Sequence, residues 1–439
     1  VGDFNHDGKP DITASQSILF GNGDGTFQAS PAILSPDGDP IIGAASGDFN
    51  GDGRSDLAIT SYGNLYIYLA DATGTLSLAH TYAISAAGSP EIGDFNGDGK
   101  LDLITVVNPS GTPFLAVLLG NGDGSFGAPV ESGICTASLN GGAIADLNGD
   151  HKSDVAGPDG ESLSICLGNG DGTFALPLNY FYGTGAQSVV VADFNNDGKT
   201  DAVVGGQSGV ALFLGNGDGT FQAESYVVTT PYSFAGPAAD FSRDGNQDLI
   251  INSTVFLGDG KGHFQPLGQR TLGLGGTVVD LNGDGYLDLV SGDYSPSGNL
   301  QIIAFLGNGN GTFQLPIALE SVGGGILPGA AQAGDFNGDG RPDLAIPWPA
   351  EGTDISHLRG VQILLNTTPP RTGRNYLSLG SGFPNAAGGD QQPACQRDRE
   401  QHRQRCADRV GRQVYGNQYQ RIRPNQQLHH HSAGRELHD

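Results

Sequence analysis

One acidic nonapeptide recurs eight times in this chain, and its recurrence decides most of what the chain can fold into. Its form is Asp-x-Asn-x-Asp-Gly-x-x-Asp, at residues 3–11, 48–56, 94–102, 146–154, 193–201, 240–248, 280–288 and 335–343. Successive copies start 45, 46, 52, 47, 47, 40 and 55 residues apart. A single loop of this kind arises by chance, but eight at a near-fixed period define a repeat architecture. Oxygen-bearing side chains at positions 1, 3, 5 and 9, with Gly at position 6 for a sharp turn, suit a hard cation that takes six or more oxygens. Calcium is the reading, with up to eight ions.

The segments between loops share one plan. In the second unit, Gly43-Ala44-Ala45-Ser46-Gly47 leads into the loop, and Leu57–Thr60 and Leu65–Leu69 follow it. A turn around residues 70–74 leads to a last segment, residues 76–84. This reads as four short strands in a meander. The link between the third and fourth strands is a refrain, Leu19-Phe20-Gly21-Asn22-Gly23-Asp24-Gly25-Thr26-Phe27. Similar runs start at Leu118, Cys166, Phe213, Phe256 and Phe305, with a weaker version at Tyr68. Asn-Gly and Asp-Gly supply the positive φ angles of a tight hairpin, so this second acidic run is a turn rather than another metal site. The aromatic after it re-enters the sheet and packs between sheets. Four-stranded meanders at this period predict an all-β fold, a β-propeller of four-stranded blades. Eight repeat units are present, the first lacking most of its first strand and the last, ending at Leu364-Leu365-Asn366, lacking a fourth. Seven or eight blades both fit.

Asp-Phe-Asn-Gly-Asp-Gly-x-x-Asp followed by Leu-Gly-Asn-Gly-Asp-Gly-Thr-Phe resembles the FG-GAP/VCBS repeat, over residues 1 to about 368. That repeat is related to the calcium-bearing repeats of the integrin α-subunit propeller and of some fungal propeller lectins. The resemblance implies a seven-bladed ring with calcium in the loop joining the first two strands of a blade. It also implies an exported protein.

The ligands expected at positions 1, 3, 5 and 9 are Asp3, Asn5, Asp7 and Asp11 in the first loop, and Asp48, Asn50, Asp52 and Asp56 in the second. The third and fourth loops supply Asp94, Asn96, Asp98, Asp102, Asp146, Asn148, Asp150 and Asp154, and the fifth Asp193, Asn195, Asp197 and Asp201. The sixth supplies Asp240, Ser242, Asp244 and Asp248, the seventh Asp280, Asn282, Asp284 and Asp288, and the eighth Asp335, Asn337, Asp339 and Asp343. Position 7 is Lys9, Arg54, Lys100, Lys152, Lys199, Asn246, Tyr286 and Arg341, varied and often basic, as expected where the backbone carbonyl is the ligand. Two loops depart from the pattern. Ser242 is a shorter ligand than Asn, and His151 stands where Gly is expected, at a cost of ~1–2 kcal/mol if φ is positive. These are the expected weakest sites. Without a cation, three carboxylates per loop would repel one another.

The charge balance follows from the loops. Net charge is −26, and residues 1–370 hold 41 of the 47 acidic residues but only 10 of the 21 basic ones. The loops account for 24 of those 41 acids, so the acidity is metal ligand, and it argues against nucleic-acid binding by the repeats. No apolar run approaches the ~18–20 residues of a membrane helix. The chain has no Met and starts inside a motif at Val1, so it reads as a processed or truncated piece. Calcium loops rich in carboxylate fit millimolar extracellular calcium, which points to a secreted or cell-surface protein.

No catalytic constellation is evident. His6, His80, His151, His263 and His357 are scattered and read as surface turn residues, and Asp24, Asp123, Asp171 and Asp218 as hairpin residues. Gly-x-Ser-x-Gly, P-loop and His-Glu-x-x-His motifs are absent. Cys135 and Cys166 lie in neighbouring units, and buried free thiols are preferred to a disulfide. Tyr62, Tyr180, Tyr182, Tyr232 and Trp348 are aromatics that could stack on sugars from a rim, core packing being the plainer reading of each.

After Pro370 the composition changes: residues 371–439 hold 11 basic and 6 acidic residues, are rich in Gln and carry no acidic loop. Residues 369–439 are expected to be disordered, or the product of a shifted reading frame replacing a second domain. The functional expectation is a monomeric, non-catalytic binding or adhesion module for a surface glycan or protein, met on a rim opposite the loops. The alternatives are a propeller-type polysaccharide lyase and a spacer in a larger surface protein.

Overall fold

The computed structural model describes residues 1–14, 17–29, 36–108, 113–132, 135, 137–270, 274–294, 300–322, 331–349, 358–367, 379–382, 395–397, 404–407 and 413–415. One compact unit spans Val1–Pro384, and a second spans Asn385–Asp439.

Within the first unit the chain makes eight antiparallel sheets in strict sequence order. The second is typical, with strands Gly43–Gly47, Asp56–Thr60, Asn64–Ala70 and Leu76–Ala83, each paired with the next. The first has Ile12–Ala14, Ser17–Gly21 and Phe27–Ala29, and an isolated Gly2–Asp11 bridge marks the place of its innermost strand. The eighth has Gln332–Gly334, Asp343–Pro349, Leu358–Asn366 and Leu379–Gly382. The last unit therefore does have a fourth strand, hydrogen-bonded to Leu358–Asn366 and drawn from beyond the compositional break after Pro370. The periodicity could not show it, because Leu379–Gly382 follows no refrain.

Packing closes these sheets into a ring. Among the described residues the buried apolar side chains fall into eight clusters, each shared by two consecutive blades. Phe49, Leu65 and Ile67 of the second blade meet Leu103, Leu118 and Phe126 of the third. The cluster that joins the ends holds Ile12 and Phe27 of the first blade with Phe336, Ala345 and Ile363 of the eighth. The Phe27 and Phe336 rings meet edge to face, centroids 5.7 Å apart. This is an eight-bladed β-propeller, and the seven-bladed alternative is set aside because every one of the eight units has a neighbour on both sides.

The strands' apolar runs follow from that arrangement. Second and third strands lie between two neighbouring blades and are buried along their length, as in Asp56–Thr60 and Gly209–Phe213. Fourth strands form the outer wall and are half-buried or exposed along most of their length, as Leu76–Ala83 is. Cys135 and Cys166 are both fully buried and form a disulfide, Cα atoms 5.9 Å apart, contrary to the expectation of free thiols. A separation of 31 residues carries no spatial information, whereas the packing of the third blade on the fourth brings the two together. Every described element is a strand, and no helix among the described residues is long and apolar enough to cross a membrane.

In the second unit, Cys395–Arg397, Gln404–Ala407 and Gln413–Tyr415 form a three-stranded antiparallel sheet. The expectations of disorder or a shifted frame fall otherwise on residues outside the described set.

The ring closure makes a prediction. Phe27→Ala should destabilise the propeller by about 3–5 kcal/mol, the cost of a large-to-small core change, while Phe181→Ala, at a 64% exposed position, should stay within about 0.5 kcal/mol. Urea unfolding of the two variants checks this, and equal midpoints would refute closure through Phe27.

Candidate metal centre

Each acidic loop joins the first and second strands of its blade. In an antiparallel meander that end also carries the turn between the third and fourth strands, so all eight loops and the refrain turns share one face. The opposite face carries the remaining connections.

Position 9 does not behave like the other acids. Asp11, Asp56, Asp102, Asp154, Asp201, Asp248, Asp288 and Asp343 are fully buried at the start of the second strand. In seven of the loops Oδ2 accepts the amide N–H of position 2 at 2.7–2.9 Å. In all eight, Oδ1 accepts an amide at the exit of the third strand or the turn, 2.6–2.9 Å away, such as Gly120 for Asp102 and Gly168 for Asp154. One carboxylate thus ties the loop, the second strand and the third-strand exit together. Burial pushes these carboxyls above the ordinary aspartate range against the pull of both amides, up to about 6 for Asp56 and Asp154 and about 7 for Asp288.

Positions 1, 3 and 5 make a cup nearer the surface, half-buried or exposed except for the buried Asp284. The position 5 amide donates to both the position 1 carboxylate and the Asn oxygen of position 3: Asp52 N–H reaches Asp48 at 3.1 Å and Asn50 at 2.9 Å. The amide of position 6 donates to the other oxygen of position 1, and that of position 7 to position 5, at 2.8–3.1 Å throughout. This wrapping needs positive φ at position 4 as well as position 6. Gly51 and Gly53 supply it in the second loop, while His6, Asn196 and Arg243 adopt it at position 4 and His151 at position 6. The requirement at position 4 was visible only as Gly in five of the eight copies.

The two irregular loops differ in outcome. His151 takes φ 64° and keeps the full set of loop bonds, with its amide 2.9 Å from Asp146. In the Ser242 loop the hydroxyl donates to Asp240, and the amide bonded to Asp248 is that of Ser242 itself.

Position 7 has a side-chain role that the sequence reading missed. Lys9, Arg54, Lys100, Lys152, Lys199 and Arg341 each pair with the position 5 carboxylate of their own loop. The stems of Lys9, Lys100, Lys152 and Lys199 also lie over the first Gly of their blade's refrain turn, where a Cβ would collide.

The refrain turns are clasps between blades. Asp24, Asp123, Asp171 and Asp218 each accept the amide and hydroxyl of a Thr or Ser two residues on, and that hydroxyl holds them below the ordinary aspartate range. In four turns the last Gly donates to the position 2 carbonyl of the preceding blade's loop: Gly25 to Phe336, Gly124 to Phe49, Gly262 to Phe194 and Gly311 to Phe241. The following Phe packs on that same aromatic: Phe126 on Phe49, Phe174 on Phe95, Phe264 on Phe194 and Phe313 on Phe241. Neighbouring loops also touch directly, Ser55 N–H donating to the Asp3 carbonyl and Ser153 N–H to that of Asp94.

The donor set fits a hard divalent cation in kind: oxygen only, with two carboxylates and an amide oxygen at positions 1, 5 and 3 of each loop, or the Ser242 hydroxyl in the sixth. Among the described residues no group of three or more Asp, Glu, His or Cys side chains is gathered as a metal cluster. The position 9 carboxylate, beside the acids of positions 1 and 5, spends one lone pair of each oxygen on a backbone amide.

Of the other sequence candidates, His6, His151 and His263 are exposed in separate blades, His80 is half-buried, and His357 lies outside the described residues. Tyr62 and Tyr232 are exposed, at 65% and 64%. Tyr182 is fully buried with its hydroxyl on the Gly209 carbonyl, and Tyr180 packs on Phe213 and Phe221, so both belong to the core. The Trp348 side chain is outside the described set.

FG-GAP-like repeats match at residues 3–59, 48–105, 94–157, 146–204, 193–251 and 280–346, well over half of the chain. The chain belongs to the FG-GAP repeat family. A curated relative, phosphatidylinositol-glycan-specific phospholipase D of Bos taurus, is 37% identical over 97 residues, which is 19% of this chain and 12% of that protein. The FG-GAP chain thus spans about an eighth of that relative's length. Among solved structures, an Agrocybe aegerita lectin that recognises non-reducing terminal N-acetylglucosamine matches with TM-score 0.50 and 20% identity, over 71% of this chain and 90% of that one. That likeness is one of fold.

The two kinds of acid in this FG-GAP loop should separate on mutation. Asp154→Asn turns one amide acceptor into a donor facing an N–H, and should cost about 1.5–3 kcal/mol with or without calcium. Asp150→Asn should leave stability in EDTA within about 0.5 kcal/mol and remove one bound ion. Chemical denaturation in both conditions, with ion counting, checks the pair.

Proposed function

We propose that this FG-GAP propeller is an exported, calcium-stabilised binding module without catalytic chemistry, meeting a glycan or protein partner on the face opposite the acidic loops. The observation that carries the reading is the unequal use of the two faces. On the loop face, side-chain oxygens, amides and refrain turns are engaged with one another, leaving the cups of positions 1, 3 and 5 as its open chemistry. On the other face, connections vary in sequence from blade to blade and present exposed aromatics, Tyr62 and Tyr232. Variation on a rigid frame is where recognition is commonly placed. The Agrocybe lectin supports the glycan arm to the extent that a ring of this fold carries sugar recognition there.

Calcium is the structural partner of the reading. The cup carboxylates would hold it, with the position 7 cations offsetting part of their charge in its absence. At Kd ~0.1 mM and ~1 mM calcium, each site would add ~1.4 kcal/mol. Blades bonded loop to loop make the ring the unit that responds.

Thermal unfolding of the chain in 1 mM calcium and in EDTA, with calcium titration, tests this. The expected result is several bound ions and a melting temperature higher in calcium by several degrees. No bound ions and coincident melting curves would leave the loops as hydrogen-bonded turns and remove the calcium reading.

A further inference from the structure

The face opposite the acidic loops is not uniform. Five connections meet at the fourth to sixth blades: residues 160–161, 182–185, 207–208, 229–234 and 252–253. Their contacts are continuous. Thr184 N–H donates to Ser208 Oγ at 2.7 Å, and Gln207 N–H to the Gly185 carbonyl at 3.0 Å. Tyr232 N–H donates to the Gln207 carbonyl, and Gly206 N–H to that of Ser233. Asn252 clamps the far side, its Nδ2 donating to Ser233 Oγ at 2.9 Å and its Oδ1 accepting Phe234 N–H at 2.9 Å. Apart from Glu161, whose carbonyl accepts the Tyr182 and Gly183 amides at the fourth-blade edge, none of these residues is Asp, Glu, Lys, Arg or His. Thr184, Gln207, Thr229, Thr230 and Asn252 are exposed there around Tyr232.

Tyr232 is held at φ 57° with its side chain 64% exposed. Positive φ is rare for a bulky residue, and Gly would adopt it without strain. The ring does not repay that strain by burial. What Tyr supplies at this position is a free aromatic face, fixed by a loop bonded on both sides, and retained strain of this sort points to a use for the side chain.

We propose that this patch binds a neutral pyranose, with Tyr232 as the stacking platform and the surrounding hydroxyls and amides as hydrogen-bonding partners for sugar hydroxyls. Each feature selects for that class. An aromatic face accepts the apolar C–H side of a sugar ring, and a rigid Tyr loses little conformational freedom on contact. Hydroxyl and amide groups both donate and accept, as a polyol requires. With no cation among these described residues and Glu161 at their edge, an acidic sugar gains nothing there and is repelled. Tyr62 lacks this setting, because Asp37 is bonded to the adjoining Ser61 and Asn64. The inference rests on the binding-module reading and names its substrate class and its site.

The test uses the full chain in calcium against an array of neutral and uronate-containing glycans, followed by titration of the strongest neutral ligand into variants. Wild type should bind neutral glycans. Tyr232→Ala and Tyr232→Gly should each weaken binding at least tenfold, and Tyr232→Phe and Tyr62→Ala by less than threefold. Tyr232→Gly relieves the backbone strain, so an unchanged or raised melting temperature with lost binding separates recognition from folding. Neutral-glycan binding that survives both Tyr232→Ala and Tyr232→Gly overturns this site and leaves the module reading standing. Binding of uronate glycans alone, or of a protein partner alone, overturns the neutral-sugar assignment. No binding to any glycan overturns the site and the glycan arm together.

Discussion

Every blade of this propeller turns on one buried carboxylate. A fully buried aspartate at the ninth loop position accepts amides from two separate stretches of backbone, the loop's own second residue and the exit of the third strand. Leaving either amide unpaired in that setting is expensive, and hydrogen bonds to a charged acceptor are the stronger kind. The carboxylate therefore fixes where the second strand begins relative to the third. That register in turn places the refrain turn beside the loop, because both leave the sheet at the same end.

The rest of the ring follows from this placement. Once the turn sits beside the loop, its last glycine reaches the preceding blade's loop carbonyl in four blades, and the following Phe meets a Phe at that loop's second position in five. Loop and turn are thus two halves of one contact repeated around the circle, and the clusters between blades are its apolar continuation. The cost falls on one face, where the conformation of loops and turns is set by the ring itself. The opposite face carries connections with no such duty, and there the sequence is free to vary. Tyr232, strained and exposed, sits on that side.

How much of this could be read from the residues depends on whether a feature repeats. The blades, the loops and the refrain were legible because their spacing and alternation recur, and the packing role of the refrain Phe was evident from its position. The position 9 aspartate was equally visible as an acid, but its bonds to two backbone amides were not, since nothing in a nonapeptide shows which amides the fold brings to it. The partnership of Lys or Arg at position 7 with position 5 was readable in principle from six of the eight copies. It was obscured by assigning that position to its carbonyl. Features that occur once were out of reach: the Cys135–Cys166 bond, the strand Leu379–Gly382 and the left-handed Tyr232 each depend on which segments the ring brings together.

The division of the loop into a buried tie and an open cup is most directly tested by amide hydrogen exchange resolved to single residues, in calcium and in EDTA. The account predicts that the amides bonded to position 9, such as those of Leu147 and Gly168, stay protected in both conditions. The cup amides of Asp150, His151 and Lys152 should lose protection when calcium is withdrawn. Loss of protection at Leu147 and Gly168 together with the cup, while the strands of the blade stay protected, would contradict it. The nine residues would then form one metal-dependent element and the carboxylate would not be the fixed point of the blade.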